Sequence, residues 1–337
     1  MPPTKPTSFD IAQLAGVSQP TVSRALRGSP SVSEQTRKRI EAIAQQLNYK
    51  VDKNASSLRT QRSNTLALLF FEDPTADETG INPFFLSMLA SITRTAAKRN
   101  QDLLISFQQL SANWHVDYED SRKADGIILL GYGDYEVYRP KLEQLVEQGT
   151  HFVRWGFVGS DQIGTTIGCD NFAGGKMAAE HLIAHDRRQI AFLGDASLNA
   201  PEFRDRYLGA CAAGAQGDLI QIDGISTEQS GYEAARELIQ RGAAFDAIFA
   251  ASDLIAIGAM RAVAEAGLTI PDDVAIVGFD DIPAATLAHP PLTTVQQDYR
   301  MAGEVLVDTL LKLVDGNEAA SETLPAKLVV RKSCGAH

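Results

Sequence analysis

The sequence predicts an all-α head, a short linker and an α/β core of two doubly wound parallel-sheet subdomains. Three observations carry this. Apolar residues within the first fifty positions recur at helical spacing and are interrupted at Gly16 and at Asn48-Tyr49. From Asn64 onward, short apolar runs alternate with amphipathic helical stretches. Charge also divides the chain at this point: residues 1–63 hold ten Lys and Arg against four Asp and Glu, a net of +6.

The whole chain of 337 residues carries −11, so the part after residue 63 carries −17. Phosphate would repel such a body, which confines any nucleic-acid contact to the basic head. With 44% apolar residues the length allows two or three domains with substantial cores. No apolar run reaches the ~18 residues of a membrane span. The N-terminus, Met1-Pro2-Pro3-Thr4-Lys5, lacks the apolar core of a signal peptide, which predicts a cytoplasmic protein. Cys169, Cys211 and Cys334 are odd in number and far apart, so reduced thiols are expected.

The head comes first in the chain. Phe9, Ile11, Ala12 and Ala15 form the stripe of a first helix, and Gly16 permits a left-handed turn after it. Ser18 can cap a second helix that buries Val22, Ala25 and Leu26. This is a helix-turn-helix, whose second helix enters the DNA major groove with its first residues toward base edges. Ser18, Gln19, Pro20, Thr21, Ser23 and Arg24 are therefore the candidate DNA contacts. The alternative, a helical hairpin with a solvated face, does not account for the +6 charge. A third helix, capped by Ser33, buries Ile40, Ile43, Ala44 and Leu47. Residues 50–62 are polar apart from Val51, Ala55 and Leu58, too short and too polar for a helix that stands alone.

In the core, strands are expected at 65–71, 102–107, 126–131, 152–155, 189–193, 219–222, 247–251 and 274–279. Helices are expected at 84–100, 138–148, 172–185, 232–241 and 254–266. Strands apolar throughout belong to parallel sheets covered on both faces. So many strands favour two lobes in succession, with a ligand crevice at the strand C-termini.

The chain resembles the LacI/GalR family of bacterial transcription regulators over essentially its whole length. The head matches the family's Asp10-Ile11-Ala12, Ala15-Gly16-Val17-Ser18 and Thr21-Val22-Ser23-Arg24 signature, and Asn54-Ala55-Ser56-Ser57-Leu58 matches its hinge. The core repeats the family's Asn82-Pro83-Phe84-Phe85, Asp170-Asn171, Ser252-Asp253, Val277-Gly278-Phe279-Asp280 and Pro291-Leu292-Thr293-Thr294 segments.

The resemblance implies a homodimeric repressor on near-palindromic double-stranded operator DNA, with a mono- or disaccharide effector between core lobes similar to periplasmic sugar-binding proteins. It divides the chain into a helix-turn-helix domain at 1–49, a hinge linker at 50–63 and a core at 64–337. Within the core, one subdomain would hold 64–162 and 294–321, the other 163–292 and 322–337. Paired hinge helices would place Asn54, Ala55 and Leu58 in the minor groove, Leu58 wedging a base step apart. In the cleft, Asp280 would accept sugar hydroxyls and Arg204 would bind the effector. Asp253 stands directly before a helix and either caps it or binds. Phe84, Phe85 and Trp155 supply rings for the flat faces of a sugar, with Gln108, Gln109 and Trp114 as weaker candidates. Two features depart from the family. Ser226 stands where relatives carry an aromatic lid, and Arg154 would favour an anionic or highly hydroxylated effector.

Enzymatic patterns fail. His181 and His185 lack an intervening Glu and an evident third ligand, and Gly174-Gly175-Lys176 lacks the rest of a phosphate loop. Asp280 and Asp281 have no matched acid or base. No catalytic residue, metal or cofactor is expected. The rival reading is a solute receptor of the periplasmic type without a DNA role; the basic head argues against it.

Overall fold

The computed structural model describes residues 6–26, 28–49, 62–70, 81–107, 113–131, 135–159, 162–214 and 219–335. The expected minor-groove residues Asn54, Ala55 and Leu58, and also Gln108 and Gln109, lie outside the described residues. The chain forms two compact units, Met1–Ser63 and Asn64–His337.

In the first unit, α1 (Ser8–Ala15), α2 (Gln19–Leu26) and α3 (Glu34–Gln46) surround a small core of Ile11, Ala12, Ala15, Val22, Ala25, Val32, Ile40 and Ala44. Thr7 and Asp10 close a capping box on α1: the Asp10 carboxylate accepts the Thr7 N–H at 2.7 Å. Gly16 ends the helix in the left-handed region, at φ 62°. Phe9 is not part of the buried stripe and is 71% exposed. It stands two residues before Ile11, about 200° around the helix.

The second unit is built on two six-stranded sheets. The first contains β1 (Thr65–Phe70), β2 (Asp102–Phe107), β3 (Gly126–Leu130), β4 (Phe152–Trp155), β5 (Thr165–Cys169) and β11 (Glu322–Leu324). Their order is β2-β1-β3-β4-β5-β11, all parallel. The second contains β6 (Ile190–Leu193), β7 (Ile220–Ile222), β8 (Ala247–Ala250), β9 (Ala275–Asp280), β10 (Thr293–Gln297) and β12 (Ala326–Val329). Its order is β7-β6-β8-β9-β10-β12, parallel except for β12 against β10. Helices cover the faces: α4 (Pro83–Lys98), α5 (Tyr135–Glu147), α6 (Asn171–Ala184), α7 (Pro201–Ala212), α8 (Glu228–Gln240), α9 (Asp253–Glu265), α10 (Pro283–Leu287) and α11 (Tyr299–Val314). All described residues of β3, β4, β6, β8 and β9 are buried, as strands covered on both faces must be.

The chain passes between sheets three times, and all three expected subdomain boundaries need correction. Thr165–Cys169 belongs to the first sheet, paired with β4 and β11, so the first crossing follows residue 169 and does not precede 163. Thr293–Gln297 belongs to the second sheet, between β9 and β12, so the second crossing follows residue 297. The third falls at Pro325, leaving 322–324 in the first sheet and 326–329 in the second. In each case the chain leaves a sheet only after a strand has completed its ladder. Among the described residues no helix is long and apolar enough to cross a membrane.

Candidate functional sites

In the head, Ser18 caps α2, its Oγ accepting the Thr21 N–H at 3.4 Å and lying 2.9 Å from Thr21 Oγ1. Pro20 and Arg24 are exposed on α2, while Thr21 and Ser23 are half-buried. Gln19 is turned toward the first helix: its Nε2 donates to Ser8 Oγ at 3.1 Å. Arg37 supports the following loop, Nη2 donating to Ser29 O at 3.0 Å. The side chains open to a major groove are thus foremost Pro20 and Arg24.

In the core, the polar residues gather where β9 and β10 end. Asp280 terminates β9 and is 2% exposed. Its Oδ1 accepts Gln297 Nε2 at 2.6 Å and lies 3.6 Å from Arg206 Nη1. Asp280 and Asp281 have φ of 110° and 56°, conformations that non-glycine residues adopt at a cost. This twist sends the adjacent carboxylates apart. Asp281 accepts Arg331 Nη2 at 2.6 Å and Gln296 Nε2 at 2.8 Å.

Arg206 is fully buried. Nε donates to Asn171 Oδ1 at 2.8 Å, Nη1 donates to the Ala251 carbonyl, and the guanidinium lies 3.8 Å from the centre of the Phe279 ring. Hydrogen bonds and a ring face thereby hold a desolvated cation. Beside this group runs a hydroxyl relay across the lobes: Asn82 Nδ2 donates to Ser226 Oγ at 3.1 Å, which donates to Ser252 Oγ at 2.9 Å. Ser226, at the position where relatives carry an aromatic lid, therefore bridges the two lobes.

The other expected effector contacts have these surroundings. Arg204 is half-buried on α7, and the arginine among the cleft residues is Arg206, two positions on. Helical phase explains the correction, because Phe203, Arg206 and Ala210 share the buried face. Asp253 neither caps α9 nor reaches the cleft. Ser252 is the cap, and Asp253 is wholly buried, accepting Ile282 N at 2.8 Å and Thr294 Oγ1 at 2.5 Å. Burial, then the charge of Asp280, pushes its carboxyl well above the usual carboxylate range. Gly278 makes room for it, since a Cβ there would meet Asp253 Oδ1 at 2.3 Å. Phe84 and Phe85 are buried in the first lobe, edge-to-face at 5.3 Å, and Trp114 is also a core residue. Gln297 carries no sequence signal of its place beside Asp280, and Asn171 stands out in the sequence only as part of the Asp170-Asn171 segment. Among the described residues no group of three or more His, Cys, Asp or Glu could hold a metal ion.

A second crevice lies between the lobes, lined by Tyr135 and Tyr138 of α5, Arg154 and Trp155 of β4, and Pro201 and Glu202 of α7. Its enclosed space is about 20 Å3, room for one water, and the rest of it opens to solvent. Trp155 reaches both this crevice and Phe84, whose ring centre is 6.0 Å away.

Residues 9–52 match the family described as bacterial regulatory proteins, lacI family, and residues 179–334 match the periplasmic binding protein-like domain. The chain is 30% identical to the HTH-type transcriptional regulator CelR of Thermobifida fusca, across 98% of each protein. A solved complex of the transcriptional regulator CelR with cellobiose matches at 28% identity and a TM-score of 0.72, covering 97% of this chain and 99% of the other. The lac repressor dimer bound to operator and the anti-inducer ONPF matches at 27% identity and a TM-score of 0.79, covering 99% and 100%.

Proposed function

The chain belongs to the LacI family of bacterial transcription regulators, and from this we propose an operator-binding repressor controlled by a small carbohydrate-type effector held between its core subdomains. It is a regulator and not an enzyme, as are the proteins it resembles along their whole length. The observation that supports effector control best is the buried Arg206–Asp280–Gln297 group at the strand ends. A carboxylate accepts sugar hydroxyls and a guanidinium donates to them, each charge-assisted bond contributing ~1.5–3 kcal/mol.

The proposed partner is near-palindromic double-stranded DNA in the cytoplasm, read by a homodimer. One small head is too little contact for tight specific binding, and two related by a two-fold meet half-sites about one helical turn apart. Exposed Pro20 and Arg24, with Ser18, Thr21 and Ser23 near them, would read base edges or phosphates. Asn54, Ala55 and Leu58 are proposed for the minor groove. Effector and operator couple only if the effector prefers one arrangement of the two lobes.

The experiment is a pair of titrations on two variants, one with upstream DNA and one with a panel of mono- and disaccharides. Asp280→Asn should lose effector response and keep operator affinity, and Leu58→Ala should do the reverse. Equal damage to both activities in both variants would refute the two-site reading.

A further inference from the structure

We propose that the effector carries a carboxylate and that Arg154 receives it, so that the ligand class is a hydroxylated acid (a sugar acid) and not a neutral sugar. This rests on the effector-cleft reading above and narrows it.

Arg154 is 5% exposed, yet it lines the crevice between the lobes. Nη2 donates to Phe157 O at 3.2 Å, and the guanidinium lies 5.2 Å from the centre of the Tyr135 ring. Nε is buried and has no hydrogen-bond partner. A buried charged donor without an acceptor is costly, and a small turn of the guanidinium toward a ligand acceptor in the crevice would relieve that cost. Burial pulls the guanidinium below its ordinary value, with the nearby Glu202 charge opposing this; an anion in the crevice would oppose it further. Gly156 keeps the space open, since a Cβ there would meet Arg154 Nη1 at 2.8 Å.

An independent feature points the same way. Pro201 and Glu202 begin α7, and its N-cap, Ala200, provides no side-chain acceptor. The uncapped positive end of a twelve-residue helix therefore borders the crevice. Glu202 is tethered at the rim, Oε1 accepting Phe157 N at 2.8 Å. Its charge tolerates a monoanion beside Arg154 better than a phosphate ester with nearly two charges, which favours a carboxylate.

Helix α7 links the crevice to the Asp280 group. Glu202 and Arg206 are four residues apart on one face of α7, about one 5.4 Å pitch. A single ligand can thus offer hydroxyls to Asp280 and Gln297 and a carboxylate to Arg154. The contact is binding only; no bond is made or broken.

The full-length protein is titrated calorimetrically with pairs that differ only in oxidation at one carbon: glucose with glucuronate, and galactose with galacturonate. In at least one pair the acid should bind more tightly by about tenfold, the worth of one charge-assisted hydrogen bond. Arg154→Gln should cost the acid far more than its neutral partner, Arg154→Lys should keep part of the preference, and Glu202→Gln should raise acid affinity. Neutral partners that bind as tightly, failure of both acids to bind, or equal losses of acid and neutral binding in Arg154→Gln would each overturn the proposal. Asp280→Asn separates the two readings. Loss of all sugar binding there with no acid preference in the parent removes only the carboxylate site. Acid binding that survives Asp280→Asn but not Arg154→Gln removes only the Asp280 cleft.

Discussion

Arg206 Nη1 lies 3.6 Å from Asp280 Oδ1, and both side chains are buried. Desolvation of two charges is offset here by Asn171, the Ala251 carbonyl, Gln297 and the Phe279 ring. Arg206→Met should therefore destabilise the core by about 3–5 kcal/mol, because it leaves Asp280 buried without a cation. Asp280→Asn should cost less, since an amide oxygen still accepts from Gln297. Urea unfolding of both variants decides this, and a similar small loss in each would show that the charges are not coupled.

Asp253 gives a pH dependence. Its carboxyl is raised well above the usual range in the folded protein, first by burial and then by Asp280. The folded state therefore keeps this proton at pH values where the unfolded chain, with a pKa of about 3.9, has lost it. The contribution is fully present below the unfolded pKa and is lost as pH rises through the folded one. Asp253→Asn should flatten the fall in unfolding free energy over that window. An unchanged slope in urea midpoints against pH would contradict this.

The head predicts distinct roles for three basic residues. Arg24→Ala, on exposed α2, should change base preference and cost about 1–3 kcal/mol on the preferred operator. Lys38→Ala should weaken all sequences alike and reduce the salt slope by about one. Arg37 holds Ser29 O, so its loss should lower stability by about 1 kcal/mol before any effect on DNA. Operator selection and salt titration with the full-length protein distinguish the three.

Thiol chemistry should be confined to one site. Cys211 is exposed, whereas burial pushes the Cys169 thiol up to about 12, and Cys334 is also buried. Brief alkylation of the native protein at pH 7.5, roughly one unit below an ordinary thiol, should label Cys211 alone by mass spectrometry. Comparable labelling of Cys169 would mean that the region around Arg206 opens to solvent.

Long apolar strands such as β3 and β9, and the capped helices of the head, were legible because burial and capping act locally. Strand β5 was not. Thr165-Thr166-Ile167-Gly168-Cys169 has little apolar signal and is held by its neighbours β4 and β11, the latter more than 150 residues away. The first subdomain boundary moved for that reason, and the other two because the pairings of Thr293–Gln297 and Glu322–Leu324 are likewise set by distant strands. Within the site, Asp280 was legible from its place at a strand end. The short motif Phe203-Arg204-Asp205-Arg206 offers two arginines, and only the helical phase that buries Phe203 and Arg206 together distinguishes them. Phe84 and Phe85 look alike in sequence as core or ligand rings, and only packing against Trp155 and each other places them inside.

The closing strands of both sheets follow one another late in the chain, β11 in the first and β12 in the second, with only Pro325 between them. Synthesis runs from the other end. A ribosome that has reached Ser321 has delivered neither sheet whole, although most of both has already emerged. The growing chain must wait with β5 and β10 each unpaired on one side until one short segment arrives to cover both almost at once. Folding of the halves is thereby tied to a single late event, and removing that segment should impair both lobes together and not the second alone.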